Sequence, residues 1–264
     1  MFRAVLENFE IFIFIAARMS GFVFFNPVLG RRNIPGTARG GISLLLAVFT
    51  LVHFPADMPD LDGAGAGSLV IFILLLLKEF SVGFVMGHIV SMFFSLVGLS
   101  GEVMDMQMGL AMSNMYDPGS NVQLPLTGGF YNIALMLLFF VTNAHGNLIE
   151  IVFESFRIVP VDSFALNPDI GLYIMRLFGL VLTFSFRFAM PVMAAELLTE
   201  TAVGIIMRAV PQINVFVVGL QMKIIVGVSV MIMSAPAAVW LLDVMLSEMS
   251  VRAFEAIALL GYAG

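Results

Sequence analysis

The sequence predicts an all-α protein of the integral-membrane class. Hydrophobic residues occupy 60% of the 264 positions and charged residues only 11%, whereas about a quarter of the residues of a soluble domain are charged. The mean hydropathy is +1.04. No stretch combines a polar surface with the alternating core positions of a soluble domain. We therefore expect one integral domain over residues 1–264.

Seven apolar runs, separated by turn-forming or charged stretches, mark the expected helices. They cover residues 11–29, 40–54, 69–101, 130–149, 170–195, 201–222 and 224–242. Arg3, Glu7 and Glu10 precede or enter the first run, and no small-residue cleavage site follows it. This pattern indicates a retained first helix rather than a signal peptide.

The run at 69–101 fits a simple membrane span badly. A helix of about 33 residues is about 50 Å long at about 1.5 Å per residue, while the hydrocarbon core is about 30 Å thick. Lys78 and Glu79 also lie inside this run. Other charges lie in or beside the remaining runs, namely Arg18, Arg176, Arg187, Glu196, Glu200, Arg208 and Lys223. We expect these charges to face protein or water, because charges in lipid are costly.

Small residues recur at every fourth position of this long helix. Gly83, Gly87, Ser91 and Ser95 would form a flat ridge on one helix face, against which another backbone can pack closely. Packing inside the chain and packing at a subunit interface are both compatible with the ridge.

Several chemistries are excluded by composition or lack a motif. The chain has no cysteine, which removes disulfides, thiolate metal sites and cysteine nucleophiles. His53, His88 and His145 form no metal-binding motif, and there is no phosphate-binding loop or dinucleotide fingerprint. The net charge of −6 comes from scattered acids, which does not indicate a nucleic-acid partner. We expect no metal, no cofactor and no nucleic acid.

Two alternative functions stay open on motifs alone. The GLSG stretch at 98–101 is similar to the nucleophile motif of rhomboid-type intramembrane serine proteases, with Ser100 as nucleophile and His145 as base. Such an enzyme needs the base within hydrogen-bond reach and a donor set for the oxyanion. A small-solute transporter would gather ion-binding groups at a helix interruption, and Glu102 and Asp105 lie beside one.

Four segments carry a resemblance to a known family. They are AARMSGFVFFNPVLGRRNIPGTARGGISLLLA near the start, GLSGEVMDMQMGLAMSNMYDPGSNVQLP in the middle, SFRIVPVD at 155–162 and RAVPQINVFVVGLQMKIIVG at 208–227. In this order they resemble the R subunits of the bacterial type III export gate, and the flagellar form more closely than the virulence form. The resemblance covers nearly the whole chain.

The resemblance implies a non-enzymatic conduit for unfolded secreted protein substrates. In that family one R subunit joins several P and Q subunits, here expected to be FliP-like and FliQ-like, in an all-α assembly of helical hairpins. An FlhB-like switch protein and an FlhA-like export protein are the further partners implied. The family pattern divides this chain into a P-like part at about 1–160 and a Q-like part at about 161–264. The resemblance also implies a location in the bacterial inner membrane, at the flagellar basal body.

The methionine-rich stretch at 104–121 holds five of the 20 methionines. In the family the loop matching about 106–121 enters the pore as a plug, and methionine can seal irregular gaps because it is unbranched and polarizable. The resemblance thus implies plug residues Met106, Met108, Gly109, Leu110, Met112, Met115, Asp117 and Pro118. Members of the family carry phenylalanine inside this loop, whereas Met112 and Met115 occupy the corresponding stretch here.

The stretch RAVPQINVF suggests a structural break in the last third of the chain. Pro211 removes an amide donor from a helix. Gln212 and Asn214 can satisfy the backbone groups that the break leaves open in an apolar site. A structural role is favoured over direct contact with substrate.

Overall fold

The structure is a computed structural model that describes residues 9–31, 34–53, 69–112, 125–161, 169–210 and 215–261. These residues contain no strand and form seven α-helices, which confirms the all-α prediction. The helices are α1 (Phe9–Phe25), α2 (Gly36–His53), α3 (Leu69–Met108), α4 (Leu126–Val141), α5 (Ala144–Ile158), α6 (Asp169–Ala209) and α7 (Val215–Gly261). A 3₁₀ turn at Leu110–Met112 follows α3.

In the part of the chain that the structure describes, three helices, α3, α6 and α7, are long and apolar enough to cross a membrane, and α4 with α5 would add a fourth span if counted as one. Helix α3 has 40 residues, so it extends seven positions beyond the expected end at 101. The helix contains no proline or turn-forming cluster that would stop it earlier. The prediction of an integral-membrane class is confirmed.

Some predicted boundaries were wrong. The run at 130–149 is two helices, because Asn143 adopts a left-handed conformation with φ 59° between α4 and α5. Asparagine tolerates that region better than most residues, but the run has no proline and its glycine, Gly146, lies three residues beyond the break. The runs at 170–195 and 201–222 were also misdivided, since α6 continues to Ala209 and α7 begins at Val215.

The chain folds into two compact units that interleave along the sequence. Unit 1 comprises Met1–Met92, Asn143–Leu177 and Ser247–Gly264, and unit 2 comprises Phe93–Thr142 and Phe178–Leu246. Each unit contains residues from both the predicted P-like part, about 1–160, and the predicted Q-like part, about 161–264. The division into P-like and Q-like parts concerns family relationships rather than compactness, and it stays a prediction.

Unit 1 is built around α1. Phe14, Ile15, Met19, Phe22 and Val23 are all buried on this helix. They pack with buried apolar residues of the unit's other helices, namely Ala47, Leu51, Val82, Met86, Val152, Phe156, Ile257 and Leu260. The buried positions of α5 recur at helical spacing, as expected for a helix with one apolar face: Ala144, Leu148, Val152, Ser155 and Phe156.

Unit 2 packs α4 and α6 against the second part of α3. A methyl group on Gly101 would overlap the backbone of Gly128 on α4, so these helices touch backbone to backbone. Ser185 on α6 donates a hydrogen bond from its Oγ to the carbonyl oxygen of Leu96 on α3, at 3.3 Å. Tyr131 and Phe188 meet edge to face with ring centroids 4.8 Å apart.

Candidate functional site

A buried ion pair ties three helices of unit 1 together. Arg18 on α1 and Glu79 on α3 are almost completely buried, and Arg18 Nε lies 2.7 Å from Glu79 Oε2. The same guanidinium donates to the carbonyl oxygens of Ser155 and Val159, both at 2.9 Å. Its carbon lies 4.2 Å from the ring centroid of Phe156. Arg18 is therefore satisfied by a carboxylate, two carbonyls and an aromatic face.

This arrangement also explains the end of α5. The C-terminal end of a helix carries partial negative charge, and the Arg18 guanidinium donates to the carbonyl oxygens of Ser155 and Val159 at this end. The expectation that Arg18 and Glu79 face protein is confirmed. For this pair the burial is provided by the chain itself.

The small-residue ridge of α3 differs along its length. A methyl group on Gly83 would overlap the carbonyl oxygen of Arg18, and one on Gly87 would lie 2.7 Å from the carbonyl oxygen of Phe22. Both glycines therefore accept close approach of the α1 backbone. Ser91 is half-buried and Ser95 is exposed, and their role in helix packing stays a prediction.

The methionine-rich stretch begins as helix. We expected a loop from residue 106, but α3 continues through Met108. Met106 is 70% exposed, whereas Met108 is fully buried. The helix ends at Gly109, which has a φ of +77°. Glycine adopts this conformation without the steric penalty that other residues meet, so the chain changes direction there.

Met108 and Gly109 pack against α7 within unit 2. The Met108 side chain fills the space that a Cβ on Gly227 would occupy, through its Sδ and Cγ atoms. Leu220 on the same helix lies against Gly109, with its Cδ1 at 2.6 Å from the position of a Cβ there. Any side chain at either glycine would therefore disturb the contact between the end of α3 and α7.

The structure gives Ser100 a role in helix packing. Ser100 is fully buried on α3, and its Oγ donates to the carbonyl oxygens of Leu96 at 2.8 Å and Ser185 at 3.1 Å. A serine nucleophile instead needs a base beside its hydroxyl group and room for a substrate carbonyl. The geometry of Ser100 does not support the protease alternative.

Asp105, considered above as an ion-binding group, caps a helix. Its carboxylate accepts hydrogen bonds from the Thr127 amide, at 3.3 and 3.4 Å, and from the Thr127 hydroxyl group. Thr127 lies in the first turn of α4, whose N-cap residue Pro125 makes no side-chain capping bond. A carboxylate there complements the helix dipole. Glu102 on the preceding turn is exposed.

Several predicted site residues lie outside the described part of the chain. The plug residues Met115, Asp117 and Pro118 do so, as do all three residues of the predicted break, Pro211, Gln212 and Asn214. Leu110 and Met112 form the 3₁₀ turn after Gly109. No cluster of three or more histidine, aspartate or glutamate residues suited to a metal occurs in the ranges that the structure describes.

Helix α7 leaves much of its apolar surface uncovered. In its most hydropathic stretch only 6% of the residues are buried, against 33% for α3 and for α6. Exposed apolar side chains of this helix in unit 2 include Ile225, Ile232, Met233, Val239 and Trp240. A helix that is apolar on all faces requires lipid or another protein around it.

Long apolar helices, a charge pair buried inside the chain and uncovered apolar faces define an all-α membrane protein suited to assembly with other components. The chain matches the family model described as Bacterial export proteins, family 1, over residues 9–249. Because this match spans most of its length, the protein belongs to that family.

Named relatives agree with the family match. The chain is 34% identical to flagellar biosynthetic protein FliR of Bacillus subtilis, over 85% of this chain and 86% of the relative. It is 28% identical to flagellar biosynthetic protein FliR of Aquifex aeolicus, over 89% and 90%. It is also 30% identical to Yop proteins translocation protein T of Yersinia pestis, over 75% of each chain.

Sequence reasoning missed the partners of the buried groups. Arg18 and Glu79 were flagged as charges that avoid lipid, but residues 61 positions apart give no sign of their pairing. The Met108–Gly227 contact was missed as well, because Gly227 is one of 24 glycines and lies in no small-residue pattern. Only the position of Met108 directly before a glycine marked the end of a helix.

Proposed function

We propose that this protein is a core subunit of the flagellar type III protein export gate. The observation that carries the proposal is the family match over residues 9–249, supported by the 34% identical relative named as a flagellar biosynthetic protein. With FliP-like and FliQ-like subunits it would form the conduit for unfolded flagellar substrates. It would act without catalysis.

The uncovered faces of α7 support partners of this kind. Met233 and Trp240 are 81% and 65% exposed on a helix that contains few charges. Large exposed apolar faces mark sites of protein or lipid contact. We assign them to the P-type and Q-type subunits and to the bacterial inner membrane at the flagellar basal body. An FlhB-like switch protein and an FlhA-like export protein would complete the machinery.

We further propose that residues 106–121 plug the conduit when no substrate passes. The left-handed Gly109 at the end of α3 supports this role, because it starts a segment that leaves the helix axis. Met106 is exposed one turn earlier, where a thioether side chain can pack against another subunit without a fixed shape. Leu110, Met112 and Met115 would complete the seal, and Asp117 and Pro118 would end it in a turn.

The remaining predicted residues serve assembly in this proposal. Ser91 and Ser95 would extend the contact surface of α3 towards a neighbouring subunit. Pro211 would break the helical path between α6 and α7, while Gln212 and Asn214 satisfy the backbone groups exposed by the break. The glutamine would thus act in folding of the complex rather than in contact with substrate.

Export of a reporter substrate tests the proposed system. Deleting the gene for this chain is expected to stop secretion of flagellar substrates, and supplying the chain again is expected to restore it. The 30% identity to a protein named for translocation of Yop proteins makes a virulence secretion system the second candidate. Loss of virulence substrates with unchanged flagellar secretion would favour that system instead.

A short deletion tests the plug. Removing residues 110–115 keeps Met108 and Gly109 in place and shortens only the segment beyond them. We expect ions and small molecules to leak through cells that still assemble the complex, because the seal is lost. A matched deletion in the 55–67 segment, outside the proposed seal, is the control. Leak at the control level in an assembled complex would refute the plug.

A further inference from the structure

A cavity of about 150 Å³ lies within unit 2, where α3, α4, α6 and α7 meet. Its wall is mainly apolar and includes Met104 on α3, Phe188 on α6 and Leu241 on α7. An apolar cavity of about this size stays dry and accepts apolar molecules rather than water. The cavity is therefore suited to an apolar group that comes from outside the chain.

Both long helices at this cavity contain an interior proline. Pro191 of α6 lines the cavity, and Pro236 of α7 directly precedes the lining residues Ala237 and Ala238. A proline inside a helix removes a backbone hydrogen bond, clashes with the carbonyl group four residues earlier and bends the helix. Close packing of the two helices is therefore disturbed at this level, which accounts for the space.

Two polar side chains of the cavity wall lack partners within the described ranges. Arg187 on α6 is exposed, and it makes no ion pair or hydrogen bond with the residues of these ranges. Tyr131 on α4 is only 5% exposed, and its hydroxyl group has no hydrogen-bond partner there either. Because buried polar groups normally have partners, the two side chains indicate a ligand that accepts hydrogen bonds.

The charge of Arg187 specifies an anion. A guanidinium group stays protonated in proteins and binds phosphate or carboxylate groups through paired hydrogen bonds. The side chains next to Arg187 on the exposed surface of α6 include Phe186 and Met190, which are 50% and 57% exposed. A cation on such an apolar surface is costly in lipid unless it is paired. The ligand thus combines a negative charge with an apolar part.

The length of α6 allows this anion to be a lipid headgroup. The helix has 41 residues and is about 60 Å long at about 1.5 Å per residue, about twice the thickness of the hydrocarbon core. Arg187 lies near its middle, so half of the helix can span the core while Arg187 lies at the headgroups. Trp240, which lines the same cavity, is 65% exposed, and tryptophan is enriched at this level of a membrane.

We propose that this cavity binds an anionic phospholipid. The headgroup phosphate pairs with Arg187, a phosphate or ester oxygen accepts a hydrogen bond from the Tyr131 hydroxyl group, and part of an acyl chain lies in the cavity beside Pro191. An acidic side chain of a partner subunit offers the same charge but only a short apolar stem, which would leave most of the cavity empty. Such a lipid site is independent of the export role.

Trp240 provides a probe for this site in the full chain. It is the only tryptophan, so the fluorescence of the purified protein in mild detergent reports on the cavity. Phosphatidylglycerol with brominated acyl chains would be added, because bromine quenches tryptophan fluorescence on contact. Brominated phosphatidylcholine, which has no net charge, is the matched lipid. We expect several-fold tighter binding of phosphatidylglycerol, and equal quenching by the two lipids would overturn the proposal.

A charge variant tests the role of Arg187. Arg187→Gln is expected to weaken phosphatidylglycerol binding by about tenfold, as loss of a hydrogen bond to a charged group does. Arg176→Gln is the matched control, because Arg176 is also an exposed cation of α6 but does not line the cavity. It should leave binding unchanged. Equal binding by the two variants would refute recognition of the phosphate by Arg187.

A filling variant tests the cavity without changing any charge. Ala238→Leu places an apolar side chain in the cavity and is expected to weaken quenching by phosphatidylglycerol several-fold. Ala235→Leu is the control, because Ala235 is an exposed residue of the same helix that does not line the cavity. If Ala238→Leu binds the lipid as the control does, the acyl chain lies elsewhere and the proposal fails.

Two further results would identify a different occupant. If inorganic phosphate at the same concentration abolishes the quenching, the cavity recognises the anion alone. The complex with P-type and Q-type subunits would also be analysed by native mass spectrometry, where we expect retained phosphatidylglycerol to depend on Arg187. If Arg187→Gln lowers the yield of that complex while its lipid content stays the same, a carboxylate of a partner subunit pairs with Arg187. Either result would overturn the lipid assignment.

Discussion

Arg18 in unit 1 and Glu196 in unit 2 are both fully buried ionisable side chains, but their surroundings differ. Arg18 has a carboxylate at 2.7 Å and two carbonyl oxygens at 2.9 Å. Glu196 has no hydrogen-bond partner of normal geometry within the described ranges. A satisfied buried network rigidifies its surroundings, while a buried polar group without a partner costs free energy. The comparison assigns a fixed scaffold to the Arg18 site, whereas burial of the Glu196 carboxyl group lowers the stability of its surroundings.

Removal of Glu79 is the most damaging change that this comparison predicts. Glu79→Ala leaves the Arg18 charge buried without its carboxylate, and breaking such a pair costs about 3–5 kcal/mol. We expect a correspondingly lower free energy of unfolding in detergent. Glu154→Ala is the control, because the Glu154–Arg157 pair is largely exposed and exposed pairs contribute below about 1 kcal/mol. Equal losses of unfolding free energy in Glu79→Ala and Glu154→Ala would contradict a special structural role for the buried pair.

Removal of the Glu196 carboxyl group is expected to raise the free energy of unfolding rather than lower it. Glu196→Leu replaces a poorly satisfied buried group with an apolar side chain of similar size, which should raise the free energy of unfolding by about 1–3 kcal/mol. The same unfolding measurement checks this change. A loss of stability would mean that Glu196 is well satisfied in the folded protein, and the comparison would fail.

The close contact between α1 and α3 gives an effect of similar size in unit 1. Gly83→Ala forces the two backbones apart, and we expect it to lower stability by about 1–3 kcal/mol, as overpacking does. Gly40→Ala on α2 meets nothing within 4 Å and should gain about 0.5–1 kcal/mol from helix propensity. Thermal unfolding of the two variants compares them. Similar changes in melting temperature for the two variants would argue against close packing of α1 on α3.

The smallest expected effect concerns the cap of α4 in unit 2. Asp105→Ala removes the acceptor for the Thr127 amide, and loss of a helix cap costs about 1 kcal/mol. Glu102 is an exposed acid on α3, the helix that carries Asp105. Glu102→Ala should therefore change the free energy of unfolding little. Hydrogen exchange of the first turn of α4 would report the loss directly. Unchanged exchange at Thr127 would show that Asp105 does not cap the helix.

The class of fold could be predicted from the sequence more accurately than the boundaries of the helices. Apolar composition and run length predicted the helices, because burial in lipid demands both. The break at Asn143 escaped prediction, since asparagine without a neighbouring glycine or proline is a weak turn signal. The helix through Glu196 and Glu200 was divided wrongly, because charges that mark a loop in sequence can also lie inside a long helix.

The site was predictable only in part, for a related reason. The stretch before Gly109 was recognised from its methionines and its resemblance to a family, both of which are local in sequence. The pairing of Arg18 with Glu79 and of Met108 with Gly227 joins distant positions. Such contacts depend on how the helices pack, and a single sequence does not record that packing.

Native mass spectrometry tests the export-gate role most directly. The protein would be purified in mild detergent after co-expression with the P-type and Q-type subunits from its own organism. The account predicts one hetero-oligomer that contains a single copy of this chain together with both other subunits, in which these subunits cover part of the apolar surface of α7. A stable monomer or homodimer that ignores those subunits would contradict the account.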